Sequence, residues 1–488
     1  MATKESLVKD IKNALAGRKL IIASNREPYV HEKRGGGIEC SKTVSGLSIA
    51  LDPVMRAVGG TWIAWGAGDA DRRTVDENNI VKVPPGSEEY SLKRLWYTDE
   101  ERDDFYYGYS NQALWPLCHI AYEKPLFLKK HWAAYKKINK RFADAVIEES
   151  RGEDVVIWIQ DYHLCLLPLY VKKELPNAVI AMMWHIPWPN AEVFRVCPQK
   201  HQILSGMLAC DILGFHIYYH CLNFIQTVEL HMEAKISHEE SSISYKGHKT
   251  LVKNFPISVD FEGMSEDAET EKVSGAMESI LNGIKAGSSI LAVSVDRIDY
   301  TKGILERFSA IDRFFQLEPG YIGKIVFYQL GALSRAKIPS YKRLIEESKR
   351  RADELNEKYG REDWKPVVLN YEGLNYAQHL ALYRCADLCI VSSLHDGMNL
   401  VAKEYVASRT DESGVLVLSR FTGSAREFAK GAVLFNPYDF DAAAKAIKKA
   451  VQMTQEEKEK RMKYMRSAIN NRNIYRWAEK FITRLSRV

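Results

Sequence analysis

Short apolar runs rich in Val and Ile recur along the chain, and helical patterns separate them. Five such runs begin at residues 19, 61, 155, 178 and 211, and six more begin at residues 289, 324, 366, 388, 414 and 432. Strands that alternate with helices form a parallel sheet covered by helices on both faces. The sequence therefore predicts an α/β fold with two Rossmann-like, doubly wound domains facing a central cleft.

A polar interval between the two series marks the domain boundary. A chain of 488 residues exceeds what one hydrophobic core usually organises. The interval at about 256–287 carries acidic residues and glycines, which favours a hinge at its start. We predict an N-terminal domain at 1–257 and a C-terminal domain at 258–469. The final segment, 470–488, is amphipathic, and we expect its helix to pack back on the first domain.

Composition and charge argue against several classes of protein. The net charge of +5 comes from interspersed acidic and basic residues, which disfavours a nucleic-acid or membrane partner. The eight cysteines are scattered without a Cys-x-x-Cys pair, so neither a zinc site nor a disulfide framework is indicated. The sequence shows no apolar signal core and no stretch long enough to span a bilayer. We expect a cytoplasmic protein that binds small molecules and forms a homo-oligomer, either a dimer or a tetramer.

One segment of the second half places two cations directly after a strand. In SVDRIDYTKG, residues 294–303, Arg297 and Lys302 follow an apolar run and precede a helical pattern. Arg binds two phosphate oxygens at once, Lys adds a compact charge, and the next helix contributes its N-terminal amides. The segment predicts a diphosphate site. A surface ion-pair loop with Asp296 and Asp299 is an equally weighted alternative.

A second loop of the same kind occupies residues 394–405. Asp396 and Gly397 follow a strand there, and a helix begins near Met398. Asp396 is suited to accept hydrogen bonds from sugar hydroxyls, the helix amides to bind phosphate, and Glu404 to bind ribose hydroxyls. The alternative interpretation makes Asp396 a helix N-cap and Glu404 a solvated surface charge.

Polar residues also follow strands in the first half of the chain. Asp161 and His185 each come after a buried strand, although a single His at a strand end is more often structural than functional. Arg26 follows the first strand, ahead of a glycine triplet and a Ser-Gly pair at a helix start. Such glycines permit close backbone approach to a phosphate. A flexible surface excursion is the favoured interpretation for residues 30–40.

The stretch 103–119 concentrates aromatic side chains, including Tyr106, Tyr109 and Trp115. Aromatic faces stack on sugar rings, and Tyr hydroxyls bind phosphate. Aromatic stripes are more often part of a core, and that alternative stays open at this point.

Taken in order, these motifs resemble the trehalose-6-phosphate synthase family, which is glycosyltransferase family 20. The matching motifs are SNR at 24, SGL at 45, YYGYSNQALWP at 106, WIQDYHL at 158, HIPWP at 185, DRIDYTKG at 296, LSR at 333 and DGMNLVAKEY at 396. The match runs from about residue 20 to residue 485. The resemblance implies a GT-B fold with an N-terminal acceptor-binding domain and a C-terminal nucleotide-sugar-binding domain.

The resemblance also implies a role for each matching residue. The catalytic positions are His185, Arg297, Lys302 and Asp396, with His185 between the donor sugar and the acceptor. The donor nucleotide-sugar site comprises Ser45, Gly46, Arg297, Lys302, Leu374, Asp396, Leu400, Val401, Ala402, Lys403 and Glu404. The acceptor sugar-phosphate site comprises Arg26, Tyr106, Trp115, Asp161 and Arg335.

The reaction implied by the resemblance is a front-face glucosyl transfer that retains the anomeric configuration and requires no metal or other cofactor. UDP-glucose is the default donor over ADP- or GDP-glucose, and the segment 374–376, where the nucleotide base is expected, lacks an Arg that some members carry. Ser45 stands where members commonly have Gly, and the loop at 27–43 is longer than in compact members. The alternatives are another phosphorylated acceptor, such as glycerol 3-phosphate or a cyclitol phosphate, and a catalytically silent regulatory paralogue.

Overall fold

The computed structural model describes residues 4–43, 46–284 and 290–487, and the chain divides into two units. Unit 1 comprises Met1–Ile257 together with Ile474–Val488, and unit 2 comprises Ser258–Asn473. The sequence places the first boundary at the same peptide bond. The sequence predicts that the segment returning to unit 1 begins at residue 470, whereas in the structure it begins at Ile474.

Unit 1 is organised around one large mixed sheet. The strands of unit 1 are β1 Lys19–Arg26, β2 Tyr29–Arg34, β3 Gly37–Lys42, β4 Thr61–Trp65, β5 Ile80–Val83, β6 Tyr90–Leu95, β7 Val155–Gln160, β8 Val179–Met183, β9 Ile212–Phe215, β10 Lys235–Ser237, β11 Ser242–Tyr245 and β12 His248–Asn254. β2 and β3 form a separate two-stranded sheet, and the other ten strands form the large one. The strand order is β10-β11-β12-β9-β8-β7-β1-β4-β6-β5. The centre from β12 to β6 is parallel. The five runs predicted as strands are confirmed as β1, β4, β7, β8 and β9.

Helices cover the central strands of this sheet. They are α1 Lys4–Leu15, α2 Gly46–Val58, α3 Asp99–Arg102, α4 Trp115–His119, α5 Lys129–Glu149, α6 Leu167–Glu174, α7 Ala191–Phe194, α8 Lys200–Met207 and α9 Tyr218–His231. All six residues of β7, VVIWIQ, are buried. A continuous apolar run is typical of a parallel strand that is covered on both faces.

The segment 27–43 contains a hairpin, so the expectation of a flexible excursion at residues 30–40 is wrong. β2 and β3 pair in antiparallel register from Tyr29 opposite Lys42 to Arg34 opposite Gly37. Gly35 and Gly36 turn the chain with φ of 55° and 84°. Two consecutive residues with positive φ define the tight turns that match the twist of a hairpin.

The aromatic stretch forms a π helix, Asp103–Leu114, between α3 and α4. Asn111 donates from its side-chain amide to the carbonyl of Tyr106 at 2.7 Å, and Gln112 donates to that of Tyr107 at 3.0 Å. These side-chain bonds join residues five positions apart, which is also the spacing of the backbone hydrogen bonds in a π helix. Helical segments of this kind are rare and are frequent at functional sites.

Unit 2 is a doubly wound domain with a six-stranded parallel sheet. Its strands are β13 Ile290–Arg297, β14 Ile325–Ala332, β15 Val367–Asn370, β16 Leu388–Val391, β17 Val415–Ser419 and β18 Val433–Phe435. Their order is β15-β14-β13-β16-β17-β18, and each neighbouring pair is parallel. The six runs predicted as strands are confirmed. This order is that of the Rossmann fold.

Helices pack on both faces of the second sheet. They are α10 Phe261–Asp267, α11 Glu271–Ile284, α12 Ile304–Leu317, α13 Pro339–Tyr359, α14 Tyr376–Cys385, α15 Leu400–Ser408, α16 Ser424–Glu427, α17 Phe440–Val451 and α18 Gln455–Asn470. Successive residues of β13 alternate between two buried clusters: Leu291 and Val293 belong to one, and Ala292 belongs to the other. This alternation is expected for a strand covered on both faces.

The last helix, α19 Ile474–Leu485, returns to unit 1. The sequence predicts that Ile474, Trp477, Phe481 and Leu485 share a buried face, and each is at most 3% exposed. Trp158 of β7 lies 4.9 Å from the ring of Trp477 and 4.6 Å from that of Phe481. The helix therefore covers one face of the first sheet.

Candidate active site

The predicted donor residues lie at one place in the sheet of unit 2. β13 and β16 are neighbours, and the strand order reverses between them. Arg297 is the last residue of β13, the loop after it carries Lys302, and the loop after β16 carries Asp396. Ligands of open parallel sheets bind at this switch point, outside the carboxyl ends of the strands. The fold thus brings together residues almost one hundred positions apart in the sequence.

Lys302 and Asp396 are in direct contact. The ammonium of Lys302 lies 2.5 Å from Oδ2 of Asp396, and both side chains are about 15% exposed. The same oxygen accepts hydrogen bonds from Ser393 at 3.3 Å and Asn399 at 3.2 Å. Asn399, rather than Asp396, is the N-cap of α15, because its side chain accepts the amide of Ala402 at 3.0 Å. Asp396 is therefore not used as the cap that the alternative interpretation requires.

A tight turn fixes the position of Lys302. Gly303 follows it with a φ of 62° and is the N-cap of α12. A side-chain carbon at Gly303 would lie 2.2 Å from the carbonyl oxygen of Ser392, so the loops after β13 and β16 approach too closely for any other residue. Ser392 also donates to the carbonyls of Lys302 and Gly303 at 3.0 and 2.9 Å.

The acidic residues around Arg297 are buried within unit 2, so they do not form the surface ion-pair loop of the alternative interpretation. Asp296 pairs with Arg307 at 2.7 Å, and both side chains are at most 3% exposed. Asp299 is fully buried and pairs with Arg335 at 3.2 Å. Arg297 itself is the last residue of β13 and is half-buried. Asp296 and Asp299 therefore pair with Arg307 and Arg335 in the interior of unit 2.

Arg335, predicted to bind the acceptor, contributes to this buried cluster. It is 6% exposed, and its guanidinium also bonds to the hydroxyl of Tyr341 at 2.6 Å. Burial acts to raise the pKa of Asp299, but the charges of Arg335 and Arg297 outweigh it and hold that pKa below its usual value. Within unit 2 the guanidinium of Arg335 therefore contacts Asp299 and Tyr341. Its role in binding the acceptor substrate stays a prediction.

The start of α15 carries most of the remaining donor residues. Leu400 and Val401 form its first turn with Ala402, and Leu374 packs against the same core cluster from the loop before α14. A helix N-terminus attracts anions through its amides and its dipole. The backbone amides of Leu400, Val401 and Ala402 are therefore suited to the predicted phosphate contact.

Two neighbouring residues of α15 have different surroundings. Glu404 accepts a hydrogen bond from the hydroxyl of Tyr383 at 3.0 Å, and burial raises its pKa, so it is not a solvated surface charge. Lys403 is fully buried, with its ammonium 3.0 Å from both carboxylate oxygens of Glu427. Burial lowers the pKa of Lys403 despite this partner. The side chain of Lys403 thus anchors α15 to α16.

In unit 1 the predicted acceptor residues lie around the switch point between β1 and β7. Arg26 ends β1 and donates to the hydroxyl of Tyr106 at 2.9 Å. Its guanidinium also lies 5.0 Å from the ring centre of Tyr106 and 5.8 Å from that of Trp65. Stacking and hydrogen bonding together orient a planar cation whose fork matches phosphate. The aromatic stretch therefore contributes to the site as well as to the core.

Asp161 and His185 lie side by side at the ends of β7 and β8. Asp161 has an unusual backbone for a residue other than glycine, with φ of 71° and ψ of 173°. Its amide donates to the carbonyl of Met183 at 2.7 Å, and its Oδ1 accepts the amide of His185 at 3.1 Å. Strained backbone of this kind is concentrated at functional sites.

The remaining predicted residues are placed as follows. Trp115 begins α4, is 5% exposed and lies 5.7 Å from the ring of Tyr162. Gly46 is the first residue of α2. Ser45 lies outside the described residues. The joint action of residues from units 1 and 2 in one site stays a prediction.

Several contacts at these sites are not anticipated by the sequence motifs. Asn399 is the N-cap of α15, and an Asn directly before a helix is a recognisable capping signal in a sequence. His216 follows β9 just as Asp161 follows β7, and its ring contacts His185. A polar residue after a third parallel strand is the signal that identifies His216.

Comparison with known proteins extends these observations to the whole chain. A "Bifunctional trehalose-6-phosphate synthase/phosphatase" of Thermoproteus tenax is 33% identical over 475 residues, which is 95% of this chain and 63% of that relative. "Alpha,alpha-trehalose-phosphate synthase [UDP-forming] 2" of Aspergillus fumigatus is 32% identical over 96% of this chain and 97% of its own length. A solved alpha,alpha-trehalose-phosphate synthase (UDP-forming) from Burkholderia xenovorans, in complex with glucose-6-phosphate, superposes with a TM-score of 0.85. It is 27% identical over 96% of this chain and 99% of that chain.

The two Rossmann-like units, together with this superposition, identify the chain as a glycosyltransferase of the GT-B fold. The model of glycosyltransferase family 20 matches residues 18–487. The chain belongs to glycosyltransferase family 20, which confirms the family resemblance of its motifs.

Proposed function

We propose that this chain makes α,α-trehalose 6-phosphate and UDP from UDP-glucose and glucose 6-phosphate. The observation that carries this proposal is the contact of Lys302 with Asp396 at the switch point of unit 2, where Arg297 ends β13. This arrangement offers cations to a diphosphate and a carboxylate to sugar hydroxyls. The names of the Aspergillus and Burkholderia relatives support the donor and the acceptor.

In this reaction the bond between the glucose C1 and the diphosphate oxygen breaks, and a bond from C1 to the anomeric oxygen of glucose 6-phosphate forms. The proton of the attacking hydroxyl passes to the departing diphosphate, and the anomeric configuration is retained. Arg297, Lys302 and the first amides of α15 stabilise the charge that develops on the diphosphate. Asp396 orients the glucosyl unit by accepting hydrogen bonds from its hydroxyls.

The acceptor half of the proposal rests on unit 1. Arg26, held by Tyr106, is suited to the phosphate of glucose 6-phosphate. Asp161 presents a carboxylate to the sugar hydroxyls, and Trp115 presents an aromatic face. An acceptor of three carbons would not fill this set of contacts.

A matrix of donors and acceptors tests the proposal. UDP-, ADP- and GDP-glucose are each paired with glucose 6-phosphate, glycerol 3-phosphate and a cyclitol phosphate, and nucleotide release is measured. We expect the highest kcat/KM for UDP-glucose with glucose 6-phosphate. Turnover with glycerol 3-phosphate or a cyclitol phosphate alone would assign another acceptor, and no turnover with any pair would support a silent paralogue.

Removal of divalent cations is expected to leave the rate unchanged. We propose a metal-independent transfer because Arg297, Lys302 and the helix amides supply positive charge to the leaving group. The measurement is kcat/KM after dialysis against EDTA, with protein dialysed against buffer as the control. A loss of rate that Mg²⁺ or Mn²⁺ restores would contradict this part of the proposal.

We further propose a homo-oligomer in the cytoplasm. Helix α9 supports self-association, because Tyr219 and Leu230 lie three turns apart on one face and are 51% and 70% exposed. All eight cysteines are free thiols, which suits a reducing compartment. Among the described residues, no helix has the length and apolarity to cross a membrane. Light scattering measures the mass in solution, and a mass of one chain would contradict the oligomer.

A further inference from the structure

Four neighbouring strands of unit 1 end in a row of polar groups. Gln160 is the last residue of β7, His185 follows β8, His216 follows β9 and Ile257 follows β12. These strands are adjacent and parallel, so their carboxyl ends lie along the same edge of the sheet. Gln160 is fully buried and His216 is 3% exposed. Gln160 and His216 are thus shielded from water, and His185 between them is half-buried.

The four residues form a continuous series of hydrogen bonds. Oε1 of Gln160 lies 2.8 Å from Nε2 of His185. Nδ1 of His185 lies 3.2 Å from Nε2 of His216. The backbone amide of Ile257 donates to Nδ1 of His216 at 3.4 Å. We call this series the histidine relay.

The two ends of the relay set its direction, because Oε1 of Gln160 only accepts and the backbone amide of Ile257 only donates. An amide N–H only donates, so Nδ1 of His216 accepts and its ring proton is on Nε2. That proton is donated to Nδ1 of His185, which therefore carries its own proton on Nε2. Nε2 of His185 in turn donates to the carbonyl oxygen of Gln160. One tautomer of each ring satisfies all three contacts.

A competing contact does not reverse this direction. The carbonyl oxygen of Phe255 lies 3.3 Å from Nδ1 of His216. It already accepts the indole N–H of Trp477 at a shorter distance, 3.0 Å. A carbonyl accepts two hydrogen bonds, so this contact alone does not fix the tautomer of His216. The Gln160 contact does, because Oε1 only accepts: Nε2 of His185 carries a proton, Nδ1 of His185 accepts, and His216 donates from Nε2 and accepts on Nδ1.

We propose that His216 and Gln160 are positioning residues that fix the ring orientation and the Nε2–H tautomer of His185. This rests on the proposed function, in which His185 lies between the donor sugar and the acceptor. Both ring nitrogens of His185 are bonded inside unit 1, so the imidazole offers a fixed, neutral surface. Asp161 contacts the backbone of His185 and not its ring: Oδ1 of Asp161 accepts the backbone amide of His185 at 3.1 Å.

Burial agrees with a neutral ring. Desolvation, assisted by the neighbouring His216, lowers the pKa of His185 well below its usual value. An uncharged imidazole keeps one donor and one acceptor nitrogen, which is what the relay requires. A charged His185 would place its Nδ1–H against the Nε2–H of His216.

Long-range ¹H–¹⁵N spectra of protein labelled with ¹⁵N-histidine test the tautomer without substrate. The 13 histidines are resolved by variant spectra, and His185→Asn identifies the signals of His185. We expect a neutral ring protonated on Nε2 in the wild type. The Nδ1 signal is expected to move in His216→Ala and to return in His216→Gln, because a Gln amide both accepts from Ile257 and donates to His185.

Kinetics test the positioning. His216→Ala and Gln160→Met are expected to lower kcat about 10- to 100-fold, with little change in either KM, because misplaced groups cost rate rather than binding. His216→Gln is expected to recover most of the loss. His248→Gln is the matched control, since His248 bonds to a backbone carbonyl, that of Cys210 at 3.0 Å, away from the relay. Circular dichroism checks folding, and Gln160→Met and His216→Gln carry the test if His216→Ala does not fold.

Two results would overturn the relay: a His185 protonated on Nδ1 in the wild type, or an unchanged His185 spectrum and kcat in the folded His216→Ala and Gln160→Met variants. A general loss of activity in His248→Gln as well would also contradict it. Wild-type protein without glucosyl transfer would overturn the proposed function, while the spectra would still decide the tautomer.

Discussion

Glucosyl transfer is expected to be lost in both Arg297→Ala and Asp396→Ala, with kcat/KM lowered about 10³-fold in each. Arg297 stabilises the departing diphosphate in the proposed reaction, and Asp396 orients the glucosyl unit. Asp396 also holds Lys302 at 2.5 Å, so its removal releases the second cation. The fold is expected to persist, because the sheet and both core clusters of unit 2 do not depend on these side chains.

The measurement is kcat/KM with UDP-glucose and glucose 6-phosphate, together with the midpoint of thermal unfolding. Arg313→Ala and Asp441→Ala provide matched controls, since these residues form an exposed ion pair on the same unit. Exposed pairs contribute little to stability, and neither residue lies near the switch point. Robust activity in Arg297→Ala or Asp396→Ala would contradict the site assignment.

Replacement of Arg94 by leucine is expected to destabilise the protein by about 3–5 kcal/mol, because it removes one partner of a buried ionic network. The guanidinium is fully buried and lies 2.8 Å from Glu27 and 2.9 Å from Asp71. It also donates to the carbonyl of Tyr29 at 3.0 Å. The network therefore ties the end of β1 and the hairpin to the loop after β4.

The pKa values of the two acids in this network are shifted in opposite directions. Burial raises the pKa of Glu27 to about 8, although the charge of Arg94 acts in the opposite direction. Burial also acts to raise the pKa of Asp71, but hydrogen bonds from His31 and Glu27 and the charge of Arg94 lower that pKa to about 2. Without Arg94, the Asp71 carboxylate would be buried without its cation, and such a charge is costly.

The free energy of unfolding in urea measures the effect of Arg94→Leu. Arg34→Leu is the control: Arg34 lies in the same hairpin, is 60% exposed and pairs with Glu32 at 2.9 Å. A surface change of this kind alters stability by about 0.5 kcal/mol or less. Equal stability of the two variants would contradict the structural role of the network.

Strands that are buried on both faces were predictable, because they leave a continuous apolar run. β7, VVIWIQ, and β13, ILAVSVDR, are examples. The hairpin of β2 and β3 was not predictable in the same way. Its residues include charged Glu32, Lys33 and Arg34, and only one face packs against the unit, so it lacks an apolar run. β10, β11 and β12, at one end of the large sheet, also lack a continuous apolar run.

The switch-point residues were predictable because their chemistry and their place after strands agree. Arg297, Lys302 and Asp396 are at the carboxyl ends of β13 and β16 as expected. The partners of Arg335 and Lys403 were not, because a sequence does not show which cation pairs with which acid. The structure pairs them with Asp299 and Glu427.

The account is tested most directly by the NMR spectrum of the product formed from UDP-glucose and glucose 6-phosphate. It predicts a disaccharide joined through both anomeric carbons, each in the α configuration, with the phosphate on C6 of one ring and one UDP released per disaccharide. A product with a β linkage, a bond to another hydroxyl, or UDP released without a disaccharide would contradict the account.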